Sequence, residues 1–231
     1  MIASERGEAD GCDNPFSARS IRPGALPFLF PAGQSAAQLI DRLRLDHWWG
    51  EIVGPHGSGK SALVAALIPA MEAAGGHVVL VELHNGQRRL PHDFYRAIHK
   101  RGQNYFPEVS SPKRHATERK ENSSDPFCVV VVDGYEQLSF LSRFWLRRCC
   151  RRRRLGLLVT AHGSVGLPEL FRSAATLARA ERIVSELLRG RPQHVSMQEV
   201  AERFSRYGGN LREMLFDLYD LYEQRRSMSN L

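Results

Sequence analysis

The chain reads as an α/β fold in three layers, a parallel sheet covered by helices on both faces, with a small helical segment at the C-terminal end. Three observations lead there. Strand-like runs alternate with helical ones as far as Gly163. Those runs are apolar throughout, which marks strands buried on both faces rather than strands with one wet side. From Pro168 onward the pattern is helical.

Composition bounds the answer. With 42% hydrophobic residues in 231, the chain can bury a substantial core. No run approaches the ~20 apolar residues of a membrane span; the longest, "CVVVVD", is strand-sized. Residues 1–13 are polar and read as a disordered tail without a signal-peptide apolar region, so cytoplasmic residence is expected. Cys12, Cys128, Cys149 and Cys150 show no metal-ligand spacing, and the adjacent pair suits a disulfide poorly; all four read as reduced thiols. The net charge of +7 rests mostly on arginine, since Lys60, Lys100, Lys113 and Lys120 are the only lysines. Such an excess permits nucleic-acid contact without establishing it.

The elements follow in order. "NPFSARSIRPGALPFLFPAG" is punctuated by proline and aromatic, suited to packing across a domain surface. Ser35 reads as an N-cap for a helix ending near Asp46. "WWGEIVG" is the first strand, and "KSALVAALIPAMEAAGG" the helix after it, kinked at Pro69 and closed by Gly75 and Gly76. "HVVLVEL" is a second strand, followed by a helix around 92–100. Residues 102–126 are polar and aperiodic, an exposed loop. "FCVVVVDGYEQL" is a third strand breaking at Asp133, with Phe140, Phe144 and Trp145 on the next helix; "LGLLVTAHG" is a fourth. Helices follow over 177–189, from Ser196 and from Asn210, the last two opened by the capping boxes Ser196–Glu199 and Asn210–Glu213. The organisation expected is a tail over 1–13, a core over 14–175 and a helical lid over 176–231.

Gly54 to Ser61 spells G-P-H-G-S-G-K-S between a strand and a helix. That satisfies G-x-x-x-x-G-K-[ST], the P-loop pattern, in the context it requires. Glycines let successive backbone N–H groups converge as a nest, and the helix N-terminus adds its positive dipole end. A cation such as Lys60 is disfavoured at a helix N-terminus unless an anion sits there. Gly54, Pro55, His56, Gly57, Ser58, Gly59, Lys60, Ser61 and Ala62 are therefore the expected phosphate-binding segment for ATP. Lys60 would reach the β- and γ-phosphates, while Ser61 and Asp133, at the end of "VVVVD", would hold Mg²⁺.

These features together resemble an AAA+ ATPase. They comprise the P-loop, a strand-helix unit before Asp133, a strand ending at Thr160 and a helical stretch containing "GGNLREML". The resemblance spans roughly residues 14–224, and the "NPF" opening is similar to the GspA/ExeA-like and TniB-like branches. It implies a sheet in the strand order five-one-four-three-two and a small C-terminal lid. It also implies a sensor-1 role for Thr160, with His162 a weaker rival, and a sensor-2 role for Arg212. N-K-x-D, the guanine-reading motif, is absent.

The pattern also departs from the family. AAA+ hydrolases carry Asp-Glu at the end of this strand, the Glu acting as general base. Here Gly134 follows Asp133, and Glu136 is the nearest carboxylate. A turn through Gly134 would have to bring Glu136 back, so binding is better supported than turnover. Arg172 in "GLPELFRS" is the nearest match to an arginine finger, which would act between copies in a homo-oligomer. "RRCCRRRR", Arg147–Arg154, holds more arginines than helix capping needs and suits a phosphate-rich or acidic partner. The expected function is an ATP-binding and ATP-hydrolysing switch acting on a protein or nucleic-acid partner. The rivals are an ATP-binding adaptor or DNA-associated helper with little turnover, and a small-molecule P-loop kinase.

Overall fold

The computed structural model describes residues 14–84, 86–92, 94, 98 and 127–229. The tail over 1–13, the loop over 102–126 and most of the helix around 92–100 lie outside the described residues. The chain divides into two compact units, residues 27–174 and residues 175–231 together with the N-terminal segment up to Leu26.

The larger unit is built on a five-stranded sheet. Its strands are β1 (Trp49–Val53), β2 (Gly76–Glu82), β3 (Phe127–Asp133), β4 (Gly156–Ala161) and β5 (Glu169–Arg172). They lie in the order β2-β3-β4-β1-β5, and every pairing is parallel. This is the five-one-four-three-two arrangement, with β4 inserted between β1 and β3. The fifth strand lies in a stretch whose sequence pattern reads as helical, which the structure corrects. Leu170 and Phe171 are both buried, so a strand this short shows no alternation to distinguish it.

Both faces of the sheet are covered, and the side-chain period of two sorts the residues. Val129, Val131 and Leu158 face helices α2 (Ala36–Leu45) and α3 (Lys60–Ala73), meeting Leu39, Leu43, Leu63 and Leu67. Val130, Val132, Leu157 and Val159 face the other way. There they meet Leu90, Phe94 and Ile98, together with Leu146 and Cys150 of helix α4 (Phe140–Arg152). Each side chain buried in this way contributes roughly 1.5–3 kcal/mol. Continuous valine runs are thus what a two-faced parallel sheet demands. Ser35 caps α2 through Gln38 N as expected, and α3 runs on through Pro69 as a single helix.

The second unit contains α1 (Ala18–Ile21), α5 (Leu177–Leu187), α6 (Met197–Arg206) and α7 (Leu211–Ser229). The opening "NPF" belongs to it, although the sequence groups these residues with the core. Asn14 is buried, and its amide donates to Tyr219 O at 3.0 Å and to Glu223 Oε1 at 2.9 Å. Phe16 is fully buried with Val184, Val200, Met214 and Leu218. Ser196 and Glu199 form a complete capping box. At α7 only half of the expected box forms. Asn210 Oδ1 accepts from Arg212 N and Glu213 N, while Asn210 N donates to Tyr207 O.

Candidate functional site

In a parallel sheet every strand delivers its C-terminal end to one edge, where ligands of open α/β folds bind. Neighbouring strands β1, β4 and β3 bring the Gly54–Gly59 turn, Thr160 and Asp133 to that edge. The turn is fixed from behind. Gly54 N donates to Ala161 O at 3.2 Å, Ser173 N to Val53 O at 2.7 Å, and Ser173 Oγ to Ser58 O at 2.7 Å. A Cβ on Gly54 would fall 2.3 Å from Ser173 O, so the backbone can pass only as glycine. Gly59, at φ 94°, then turns the chain into α3.

Lys60 opens that helix and is buried, its Nζ donating to Gly54 O at 2.7 Å and Pro55 O at 2.8 Å. The ammonium group is folded back over the turn that the sequence assigns to phosphate. Ser58 Oγ is buried with no hydrogen-bond partner, an unfilled donor inside the same turn. Ser61 and Ala62 are half-buried on the first turn of α3, while Pro55 and His56 are exposed.

Asp133 ends β3, and its Oδ1 accepts a 2.5 Å hydrogen bond from Thr160 Oγ1. The same hydroxyl accepts from Gly134 N at 2.9 Å. Thr160 therefore uses both its donor and an acceptor position to fix the acid and the turn leaving it. Gly134 has φ 84°, and a short 3₁₀ turn, Tyr135–Gln137, follows. The turn is anchored by a buried Tyr135, whose hydroxyl accepts from Arg147 Nε at 2.9 Å, and by Arg143 Nη2 donating to Glu136 O at 2.7 Å. Burial raises the Tyr135 phenol above its ordinary value, against the lowering influence of Arg147 and Arg143.

Glu136 Oε1 lies 3.2 Å from His162 Nε2, while its Oε2 is buried with no hydrogen-bond partner. The His162 ring meets that of His56, in the Gly54–Gly59 turn, with centroids 3.6 Å apart and the planes tilted by 50°. Burial holds His162 below its ordinary value against the pull of Glu136, and Lys60 and His56 add to the lowering. The imidazole is thus neutral near pH 7 and suited to donate Nε2–H to the carboxylate. Three loops, following β1, β3 and β4, are joined through His56, Glu136 and His162.

Two other expected residues belong to other elements. Arg212 is exposed on the first turn of α7, in the second unit. Arg172 is exposed on the edge strand β5 and pairs with Glu169. The arginine run divides by contact. Arg147 bonds Tyr135 and Val165 O, Arg151 lies over the Trp49 ring, and Arg153 donates to Ile98 O. Cys128, Cys149 and Cys150 are free thiols; Cys12 lies outside the described residues.

Sequence reasoning missed Ser173 and Glu51. Glu51 is buried on β1, and its Oε2 accepts from Val165 N at 2.9 Å and Leu167 N at 3.0 Å, pinning the loop after β4. A lone acid inside an apolar strand was the signal for it. Ser173 carried none.

The sequence matches no protein-family model and no curated protein. Solved structures do resemble it. Cdc6p from Pyrobaculum aerophilum aligns with TM-score 0.62 and 15% identity over 94% of this chain and 67% of that one. The ORC1 protein of Aeropyrum pernix, solved in complex with DNA, aligns with TM-score 0.57 and 15% identity over 90% of this chain and 64% of its own. The chain spans about two thirds of the length of each. At this identity the likeness is one of fold, a three-layer α/β fold with a helical C-terminal segment shared with Cdc6p and the ORC1 protein.

Proposed function

We propose that the chain binds ATP with Mg²⁺ at the Gly54–Ala62 segment and hydrolyses it, switching its action on a protein or nucleic-acid partner with nucleotide state. The observation that carries hydrolysis is the Glu136 carboxylate. One oxygen faces His162 and the other is buried without a hydrogen-bond partner, as a base waiting for a water would be. The turn through Gly134, which the sequence needs for a base two residues beyond its usual place, is consistent with this role.

The remaining residues take roles that fit their surroundings. Backbone N–H groups of the turn cradle the phosphates, and Lys60 exchanges its two carbonyl partners for phosphate oxygens. Ser58 Oγ, buried and unpartnered, supplies a further donor. Ser61 and Asp133 hold the metal, with Thr160 keeping the Asp133 carboxylate in one orientation. When bound, Mg²⁺ neutralises charge on the β- and γ-phosphates. No group of three or more His, Cys, Asp or Glu that could by itself hold a metal ion lies among the described residues, and Mg²⁺ held by nucleotide phosphates needs few protein ligands. Arg212 is the proposed sensor of the γ-phosphate from the helical unit.

Within the AAA+ fold, a GspA/ExeA-like or TniB-like affiliation rests on the "NPF" opening. The DNA in the ORC1 complex supports a nucleic-acid partner. No helix among the described residues is long and apolar enough to cross a membrane, and cytoplasmic residence, where ATP is available, goes with this reading.

Phosphate release and calorimetric ATP binding, with and without DNA, test it on wild type, Lys60→Ala and Glu136→Gln. Lys60→Ala should lose binding and turnover together. Glu136→Gln should keep binding and lose turnover by about 10²-fold or more. Absence of ATP binding by the wild type would overturn the reading. Binding without turnover would favour the adaptor.

A further inference from the structure

Helix α4 presents one long face that no other described residue covers. Leu146 and Cys150 bury its inner side. On the outer side Phe140, Leu141, Phe144 and Trp145 are 81%, 75%, 60% and 41% exposed. The next two turns of that side carry Arg148, Arg151 and Arg152, with Arg154 just beyond. Arg148, Arg152 and Arg154 make no hydrogen bond or ion pair with any described residue, unlike Arg147 and Arg153, which bond inward. Two shallow grooves, of about 300 and 250 Å³, cross this surface, and Arg148 and Arg152 border both.

An apolar patch this exposed on a single helix marks an interaction site rather than ordinary surface. Arg148 and Arg152, which no described acid pairs, favour an anionic occupant by charge complementarity. The layout decides which anion. A nucleic-acid strand offers a ring and a phosphate at every nucleotide, so surfaces that bind it interleave aromatic and cationic side chains. A helix lying on a lipid surface keeps its apolar face along its whole length. On α4 the two chemistries occupy separate halves of a face about 20 Å long, apolar first and cationic second.

That arrangement matches a protein segment carrying apolar side chains at one end and carboxylates at the other, docked as a helix along a groove. We propose that the outer face of α4 is the seat of an acidic, apolar segment of a partner protein. The apolar side chains rest on Phe140, Leu141, Phe144 and Trp145, and the carboxylates pair with Arg148 and Arg152. The proposal goes beyond the nucleotide reading and does not depend on it.

The test pans a displayed library of short helical peptides against the full chain, then measures the selected peptides by fluorescence anisotropy. Phe144→Ser and the double variant Arg148→Glu/Arg152→Glu alter exposed side chains only, and thermal melts confirm that both fold. Selected peptides should join an apolar block to an acidic one, and each variant should weaken them by about tenfold or more. Added salt should weaken binding to wild type more than to the charge-reversed variant. The proposal is overturned if no peptide is enriched, if those enriched lack acidic residues, or if neither variant affects them. It is equally overturned if the variants abolish binding of oligothymidine, capture by phosphatidylserine vesicles or self-association in sedimentation while leaving peptide binding unchanged.

Discussion

His162 Nε2 stands 3.2 Å from Glu136 Oε1, joining the loop after β4 to the turn after β3. Under the proposed hydrolysis this contact would orient the Glu136 carboxylate, and His162 would act as a positioning residue, since its contact is with Glu136. His162→Ala should lower kcat for ATP hydrolysis by between about tenfold and a hundredfold, the scale of a misplaced catalytic group. KM should stay near the wild-type value. His162→Gln, which restores an N–H donor, should recover part of the loss, whereas equal losses in both variants would remove the positioning role.

The same histidine gives a pH signature. It is partly buried and faces Glu136, Lys60 and His56, and its folded value lies below the ordinary 6.5. As pH falls through 6.5 the unfolded chain takes up the proton first, so stability falls with it. The stability contributed by the neutral ring is complete above that value and is lost on acidification. Thermal melts should therefore show the wild-type midpoint dropping more steeply than that of His162→Gln between about pH 7 and 5. Parallel curves would contradict the assignment.

Gly134 opens the turn that carries Glu136. At φ 84°, an added Cβ would lie 2.8 Å from Leu83 O, so Gly134→Ala meets both backbone strain and a close contact. The expected cost is about 1–2 kcal/mol in urea denaturation. Turnover should fall further than ATP binding, because the Lys60 segment follows a different strand. Equal losses would mean that the substitution disturbs the whole edge.

How much of this was legible depends on what each residue needed. Valine runs and the Gly54–Ser61 spacing are dictated by local chemistry, so the layers and the glycine-rich turn between β1 and α3 could be expected from residues alone, whereas the strand order came from the family resemblance. The fifth strand was hidden because Leu170 and Phe171 are both buried in a segment too short to show a period. Ser173 was hidden because a serine after a strand announces nothing; its hydroxyl matters only once Ser58 O lies 2.7 Å away. The association of Phe16 with Tyr222 likewise joins chain ends that no local pattern relates. The basic run was ambiguous for the opposite reason. Arg147, Arg151 and Arg153 are held by Tyr135, Trp49 and Ile98, and only contacts separate them from Arg148 and Arg152.

Thr160 bears on stability as well as on the site. It is 1% exposed, donates to Asp133 Oδ1 and accepts from Gly134 N. Thr160→Val keeps the shape but leaves a carboxylate oxygen and a backbone N–H without that partner, at a cost of about 1–3 kcal/mol. Thr160→Ser, which keeps the hydroxyl, should lose less. Denaturant midpoints distinguish the two, and a valine variant as stable as the serine one would show that the hydroxyl does not hold the turn.

The helical unit has its own acid sensitivity, centred on Glu199. Its carboxylate accepts from Arg225 Nη1 at 2.9 Å and Nη2 at 2.5 Å while closing the capping box with Ser196. The Arg225 hydrogen bonds, followed by those from Ser196, hold Glu199 at about 2 although burial works the other way. A depressed folded value means that this stability is complete above the ordinary 4.5 and is lost as pH falls through about 2. Both side chains are partly solvent-exposed, so screening limits the pair and salt should weaken it. Because the chain has two units, one melting curve would mix their responses. Hydrogen exchange at the first amides of α6 isolates the effect. Glu199→Gln should speed exchange there at pH 7 and approach wild-type behaviour as the pH nears 2, since protonation removes the same charge. A difference that persists undiminished in acid would show that the pair with Arg225 does not hold this helix start.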